Sequence, residues 1–315
     1  MLFCAVMSAQ VNLVPNPSFE DMISCPITIS EMFKADHWHT FRNTPDYYHT
    51  CNNPINAVVG VPYNNLGFQY PHSGLAHAGI IAFDITGSPP AQREYLASDL
   101  NGGSLIIGEQ YFLTFWVSWL GVPGFGLVVN KLGVSASTSN YSQIDPFPVT
   151  NNPLAYSDSF YTDSLGWSQV RLAFVADSSY QYIILGDFFD DLHTDTLHHG
   201  QFNSHCYYYI DDVCLSTDSA YCSTYRPIST DDTPNWRNKQ IVENSFVDNN
   251  ILNLQFASSE EKQIYIFSCL GQMIYRNNSS SKQLSIPLLE NNSILFVTIY
   301  SRDIFQSIKI IHIKQ

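Results

Sequence analysis

Positive charge is what this chain has least of. Its 315 residues hold 14 Lys and Arg against 28 Asp and Glu, a formal charge of −14. Phosphate binding needs a basic face, so this balance argues against nucleic acid as a partner and against electrostatic docking on anionic lipid. A divalent cation is the natural counter-charge. Long apolar runs are also missing: none reaches the ~18 residues of a transmembrane segment. There is no Gly-x-Ser-x-Gly, no His-Glu-x-x-His and no Gly-rich phosphate loop. No Cys-x-x-Cys and no Cys/His spacing of a zinc site occurs. Nothing selects an enzyme class, and the chain reads as non-catalytic. A hydrolase would need two carboxylates or a Ser/His pair brought together only by the fold.

What is present is aromatic. The chain carries 19 Tyr, 20 Phe and 5 Trp, while 13% of residues are charged. That suits an all-β extracellular protein better than a helical cytosolic enzyme rich in Lys, Glu and Ala. Residues 1–10 end in small residues after an apolar stretch and read as part of a secretory signal peptide. Of the seven cysteines, Cys4 leaves with that signal. The remaining six permit disulfides in an oxidising compartment, and the favoured pairs are Cys25 with Cys51 and Cys214 with Cys222.

Period-two alternation marks the strands. In Tyr111–Leu120, Leu113, Phe115, Val117 and Trp119 form an apolar face, and Thr114, Trp116 and Ser118 a mixed one. Val11–Glu20, Ala78–Phe83, Gln92–Ala97, Leu127–Ser135, Gln169–Ala176, Tyr180–Phe188 and Tyr207–Leu215 complete a β-sandwich or jelly roll over residues 11–220. Residues 21–62 read as a long irregular stretch held by the Cys25–Cys51 staple. Residues 221–243, rich in Ser, Thr, Asp and Pro, read as a linker. Residues 244–315 hold a second set of short strands, with Leu270-Gly271-Gln272 as a hairpin turn, and make a small second β-sandwich of about 70 residues.

The strand Tyr207–Leu215 carries two adjacent carboxylates, Asp211 and Asp212, where strands are depleted in Asp. Neighbouring strand residues face opposite ways, so one should meet solvent and the other the interior. An inward carboxylate has to be paired, hydrogen-bonded or on a metal. Glu20, at the end of the first predicted strand, is the matching acid from the other end of the domain. Calcium, which takes six to eight oxygens, is the metal that would suit these three. Trp116, with Tyr63, Phe68 and Tyr70, is the candidate sugar-stacking platform, against the plain reading of core aromatics. Arg93 is either an ion pair at a sheet edge or part of a ligand cleft. The run Asp190–His199 and the pair His37/His39 are weak metal candidates and read first as solvated.

Two resemblances follow from these residues. Ile264–Tyr275, Leu284–Leu288 and Ile308–Lys314 resemble the type A C-terminal sorting domain of the Bacteroidetes type IX secretion system. That resemblance implies export across the outer membrane by the type IX machinery, by way of the periplasm, to the medium or the cell surface. Asn12–Glu20, Arg93–Leu96, Leu105–Val117 and Tyr208–Val213 resemble the galactose-binding-like jelly rolls of secreted carbohydrate-binding modules. In such modules an acid of the first strand and one of the last hold a structural Ca²⁺, which implies that role for Glu20, Asp211 and Asp212. The expectation is a secreted, non-catalytic binding or structural protein. Its alternatives are glycan recognition on the concave face and a hydrolase of unrecognised type.

Overall fold

The computed structural model describes residues 11–52, 58–86, 92–122, 124–139, 150–199, 204–225, 227, 241–268, 273–288, 293–301 and 304–312. The signal-like residues 1–10 with Cys4, most of the expected linker, Cys269, the expected turn 270–272 and residues 313–315 lie outside them. The chain is all β and divides into two compact units, Met1–Pro227 and Ile228–Gln315. No helix among the described residues is long and apolar enough to cross a membrane.

The first unit contains β1 (Trp38–Arg42), β2 (Asp46–His49), β3 (Ala76–Asp84), β4 (Tyr95–Asp99), β5 (Gln110–Trp119), β6 (Leu127–Val129) and β7 (Leu132–Ser137). It continues with β8 (Ala155–Tyr156), β9 (Ser168–Val175), β10 (Tyr182–Asp187), β11 (Thr196–His198), β12 (His205–Ser216) and a short helix, α1 (Ser219–Thr224). Two five-stranded antiparallel sheets, ordered β1-β4-β10-β7-β8 and β2-β3-β12-β5-β9, pack face to face. The alternation expected for β5 is present: Leu113, Phe115 and Val117 enter the core beside Val170, Leu172 and Phe174 of β9 and Ile183 and Leu185 of β10. Each such side chain contributes about 1.5–3 kcal/mol by leaving water.

Several expectations are corrected here. Val11–Glu20 is not a strand. Pro15 and Pro17 have no N–H to give to a ladder, so the segment lies along β12 with scattered bonds. Leu13 N–H donates to the Leu215 carbonyl and Val213 N–H to that of Pro17, while the Asn12 side chain bridges Val213 and Leu215. This occupies the edge of β12 beyond Ile210, where its pairing with β3 ends. The stretch 21–62 is not wholly irregular, since β1, β2 and a 3₁₀ turn at Met32–Lys34 lie inside it. The strand expected over Leu127–Ser135 is two, β6 and β7, separated at Lys131, whose φ is +70°. In the His-rich run, β11 pairs with β6.

Cys25 is bonded to Cys51 and Cys214 to Cys222, and Cys206 is a buried thiol. The second bridge fastens α1, which begins the segment read as linker, onto the first unit. The Cys222 carbonyl also accepts from Thr114 Oγ1 of β5, and Asp218 caps the helix through Ala220 and Tyr221 N–H.

The second unit is a small sandwich of β13 (Val242–Asp248), β14 (Ile251–Phe256), β15 (Lys262–Ser268), β16 (Met273–Ser279), β17 (Gln283–Pro287), β18 (Ser293–Ser301) and β19 (Ile304–His312). Its sheets run β13-β14-β17 and β16-β15-β18-β19 around a core of Leu252, Leu254, Phe256, Ile264, Ile266, Ile286, Leu295, Val297 and Ile299. β13 was not expected as a strand, because its side chains are mostly polar and exposed and it closes a sheet edge.

Candidate functional site

The site is built around a defect in β12. Between Asp211 and Cys214 the register with β5 slips, and Asp212 has a φ of +48°, a left-handed conformation that Asp tolerates better than most residues. A bulge of this kind breaks strict alternation. Both aspartates are therefore buried, Asp211 at 0% and Asp212 at 2% exposure. The expectation of one inward and one solvent-facing carboxylate is corrected on this point.

The two carboxylates and Glu20 hold one turn, residues 71–76, that leads into β3. Asp211 Oδ2 accepts from the N–H groups of His72 (2.7 Å) and Ser73 (3.2 Å), and its Oδ1 from Asp212 N–H (2.8 Å). Asp212 takes the Ser73 hydroxyl at 2.6 Å and the Nδ1 of His72. Glu20 Oε1 accepts from Leu75 N–H (2.7 Å) and Ala76 N–H (3.1 Å). Between them sits Gly74, at φ +63°, where an added Cβ would lie 2.1 Å from Glu20 Oε1. Only glycine suits both the angle and the space.

Burial pushes the Glu20 carboxyl up to about 7, and the Asp212 charge adds to that. Burial, then the Asp212 charge, holds Asp211 well above the usual carboxylate range. The hydrogen-bond partners of these three acids among the described residues are N–H and O–H donors and one histidine. No group of three or more His, Cys, Asp or Glu among the described residues is arranged to hold a metal ion. As they stand, the oxygens read from sequence as calcium ligands act as acceptors for a turn.

A pH dependence follows. An acid whose pKa is raised on folding stabilises fully below its unfolded value and loses that contribution as pH rises through the folded one. Glu20 and Glu94 rise from 4.5 to about 7 and Asp187 from 3.8 to about 6, each chiefly through burial. His49 and His77, lowered by burial to about 4, act oppositely: their contribution is present above 6.5 and is lost as pH falls. The acids outnumber the histidines, so the first unit should melt at a lower temperature at about pH 8 than at about pH 5.5. Trp fluorescence reports it chiefly, since four of the five Trp (Trp38, Trp116, Trp119 and Trp167) lie in this unit. Glu20→Gln should flatten the slope; an unchanged slope would remove Glu20 from the account.

His72, fixed by Asp212, stacks on Trp116 with ring centroids 4.0 Å apart and planes at 17°. From there a row of half-buried rings continues. Trp167 lies 6.0 Å from His72, and its Nε1 donates to the Tyr70 carbonyl at 3.0 Å. Phe68 lies 5.2 Å from Tyr70 and 4.8 Å from Tyr63. Tyr63, Phe68 and Tyr70 thus stand together and connect to Trp116 by way of Trp167 and His72. Trp167 was legible in principle, since period two from Gln169 and Arg171 puts it opposite Val170, Leu172 and Phe174. His72 had no signal of its own.

Arg93 belongs elsewhere. It is wholly buried at 0% exposure, with Nε 3.2 Å from Asp187 Oδ2 and Nη1 3.0 Å from Asp191 Oδ1. Of the two readings offered for it, the structure has the ion pair, inside the unit and not at a sheet edge. His37 and His39 both meet Asp99, at 3.0 and 3.3 Å, on the exposed surface. A Ser–His–Asp grouping does occur: Ser204 Oγ is 2.7 Å from His205 Nδ1, and His205 Nε2 is 3.3 Å from Asp84 Oδ1. It stands at the start of β12, whereas Asp211 lies in the middle of that strand. Asp84 Oδ1 also accepts from Thr86 N–H and Oγ1, and the Gly124 carbonyl lies 3.3 Å from the same Nδ1.

No protein-family model matches the chain, and no curated protein does. Solved structures are similar at low identity. The K1 cleaved adhesin domain of Lys-gingipain from Porphyromonas gingivalis is 15% identical, over 64% of this chain and 96% of that one, with a TM-score of 0.33. The adhesin domain of Epf from Streptococcus pyogenes is 13% identical over 91% and 96%, with a TM-score of 0.27. The N-terminal cellulose-binding domain of Cellulomonas fimi β-1,4-glucanase C is 14% identical over 45% and 78%, also with a TM-score of 0.27. These are likenesses only, and the functional reading stands on the geometry above.

Proposed function

We propose that the chain is a secreted or cell-surface, non-catalytic binding protein whose first unit takes a saccharide on the Tyr63–Phe68–Tyr70–Trp167–Trp116 row. The observation that carries this is the row itself. Half-buried rings run from the segment before β3 (Tyr63, Phe68 and Tyr70) through Trp167, just ahead of β9, and on by way of His72 to Trp116 of β5, beside a turn that three carboxylates hold. Sugar rings present apolar C–H faces that stack on such surfaces, and aromatic anchors of this kind dominate binding energy. Two disulfides support an oxidising compartment. The test is calorimetric titration of the full chain against a panel of oligosaccharides. Wild type should bind at least one, and Trp116→Ala should weaken it about tenfold or more, the cost of a lost stacking anchor. Binding unaffected by Trp116→Ala would move the site elsewhere. Ester or glycoside turnover that disappears in Ser204→Ala would make the chain a hydrolase.

Export through the type IX machinery rests on the C-terminal resemblance. In a host that has this machinery, removing residues 244–315 should leave the protein in the periplasm; release of the shortened chain to the medium would count against it. Structural calcium rests on the clustering of three acids in a chain of charge −14, since a cation would offset the cost of ionising Glu20 and Asp211 together. At pH 8, millimolar CaCl₂ should then raise the melting temperature over EGTA by mass action. No shift would leave the carboxylates to the turn alone.

A further inference from the structure

We infer that the saccharide bound at this face carries a carboxylate, and that Arg171 reads it. This rests on the aromatic-row reading and names the class of sugar. β5 and β9 pair with Trp116 opposite Gln169 and Thr114 opposite Arg171. Residues directly opposite, and those two apart on one strand, share a face. Val170, Leu172 and Phe174 fill the core. Gln169 and Arg171 therefore stand with Trp116 on the outer face, and Arg171 is the diagonal neighbour of Trp116, within reach of long side chains.

Arg171 is exposed, and its Nε donates to Gln169 Oε1 at 2.7 Å. That bond orients the guanidinium and leaves the N–H groups of its two terminal nitrogens for a partner. Among the described residues no Asp or Glu forms an ion pair with it, whereas the buried Arg93 has two. In a chain with twice as many acids as bases, an exposed arginine held by a glutamine, with no carboxylate paired to it among the described residues, stands diagonal to Trp116. A planar fork of this kind matches a carboxylate bidentately, and an acidic sugar offers such a group next to a ring that can stack. Neutral glycan would leave the fork unused.

The experiment is titration of the full chain with uronic-acid oligosaccharides (galacturonate, mannuronate and glucuronate series), their methyl esters, and sulfated neutral oligosaccharides. The acid form of at least one series should bind about tenfold or more tighter than its ester, and that preference should shrink at high salt. Arg171→Gln should abolish the preference. Arg171→Lys, a point charge without the fork, should keep part of it. Equal binding of acid and ester, a preference that survives Arg171→Gln, or better binding of the sulfated chains would overturn the inference. If Trp116→Ala abolishes binding but Arg171→Gln does not alter selectivity, the aromatic-row reading stands and this one falls. If no saccharide binds, both fall. Arg171 is exposed, so its replacement should leave the Trp-monitored melting curve in place, and that curve is the folding control.

Discussion

Arg93→Ala is expected to cost the first unit about 3–5 kcal/mol, the range for breaking a buried ion pair from one side. Arg93 lies entirely out of water, with its guanidinium 4.5 Å over the Phe83 ring. Its partner Asp187 is also fully buried and accepts from Thr194 Oγ1 (2.9 Å) and Phe189 N–H (3.0 Å). Burial already pushes Asp187 up to about 6 in spite of the Arg93 charge. Without Arg93 that carboxylate must be protonated or stand as an uncompensated charge, and either costs free energy at neutral pH. Urea unfolding followed by Trp fluorescence measures the loss. A change under about 1 kcal/mol, the range of exposed pairs, would mean that water reaches the pair. Should Arg93→Ala fail to fold, Arg93→Lys keeps the charge without the fork and should still be measurably less stable than wild type.

Asp211→Ala is expected to cost about 3 kcal/mol or more, because it strips the acceptor from three N–H groups at once, those of His72, Ser73 and Asp212. A buried donor left without a partner costs roughly 1–3 kcal/mol. The turn 71–76 would loosen, His72 would lose its hold over Trp116, and saccharide binding should weaken together with stability. Asp211→Asn separates the two accounts of this residue. An amide keeps one carbonyl oxygen for N–H donors and removes the charge whose burial is unfavourable, so a turn-capping role predicts a much milder loss than for alanine. A calcium ligand predicts that Asn is nearly as damaging as Ala in CaCl₂, and that the gain from calcium over EGTA vanishes in both. Melting curves of the two variants in each buffer decide between these outcomes.

The fold was legible wherever burial imposes a period. The alternation in β5 and β9 is dictated by residues that must face a core, and the lengths of β14 and β18 follow from unbroken apolar spacing. The disulfides Cys25–Cys51 and Cys214–Cys222 are the favoured pairs, each tying down a loop-rich segment. Strands with little to bury were missed. β13 is largely exposed and polar, and β1 and β2 lie among prolines and asparagines that read as loop. Val11–Glu20 was misread because its apolar residues look like a strand, while Pro15 and Pro17 withhold the N–H groups a ladder needs.

The sequence by itself determined that this is an acidic, aromatic-rich, all-β chain in two parts, and that Glu20, Asp211 and Asp212 needed partners. Composition and local spacing carry that information, because both follow from what a residue can bury. Only the tertiary structure decided what the partners are. The bulge at Asp212 turns both aspartates inward, against the alternation that local sequence predicts. Asp211 accepts from the backbone N–H groups of His72 and Ser73, about 140 residues away, and every residue except proline carries such a donor, so no side-chain pattern could mark them. The same holds for Arg93 and Arg171. Both are arginines on the way into or within a strand, and only the packing of neighbouring segments makes one a buried ion pair and the other an exposed fork beside Trp116.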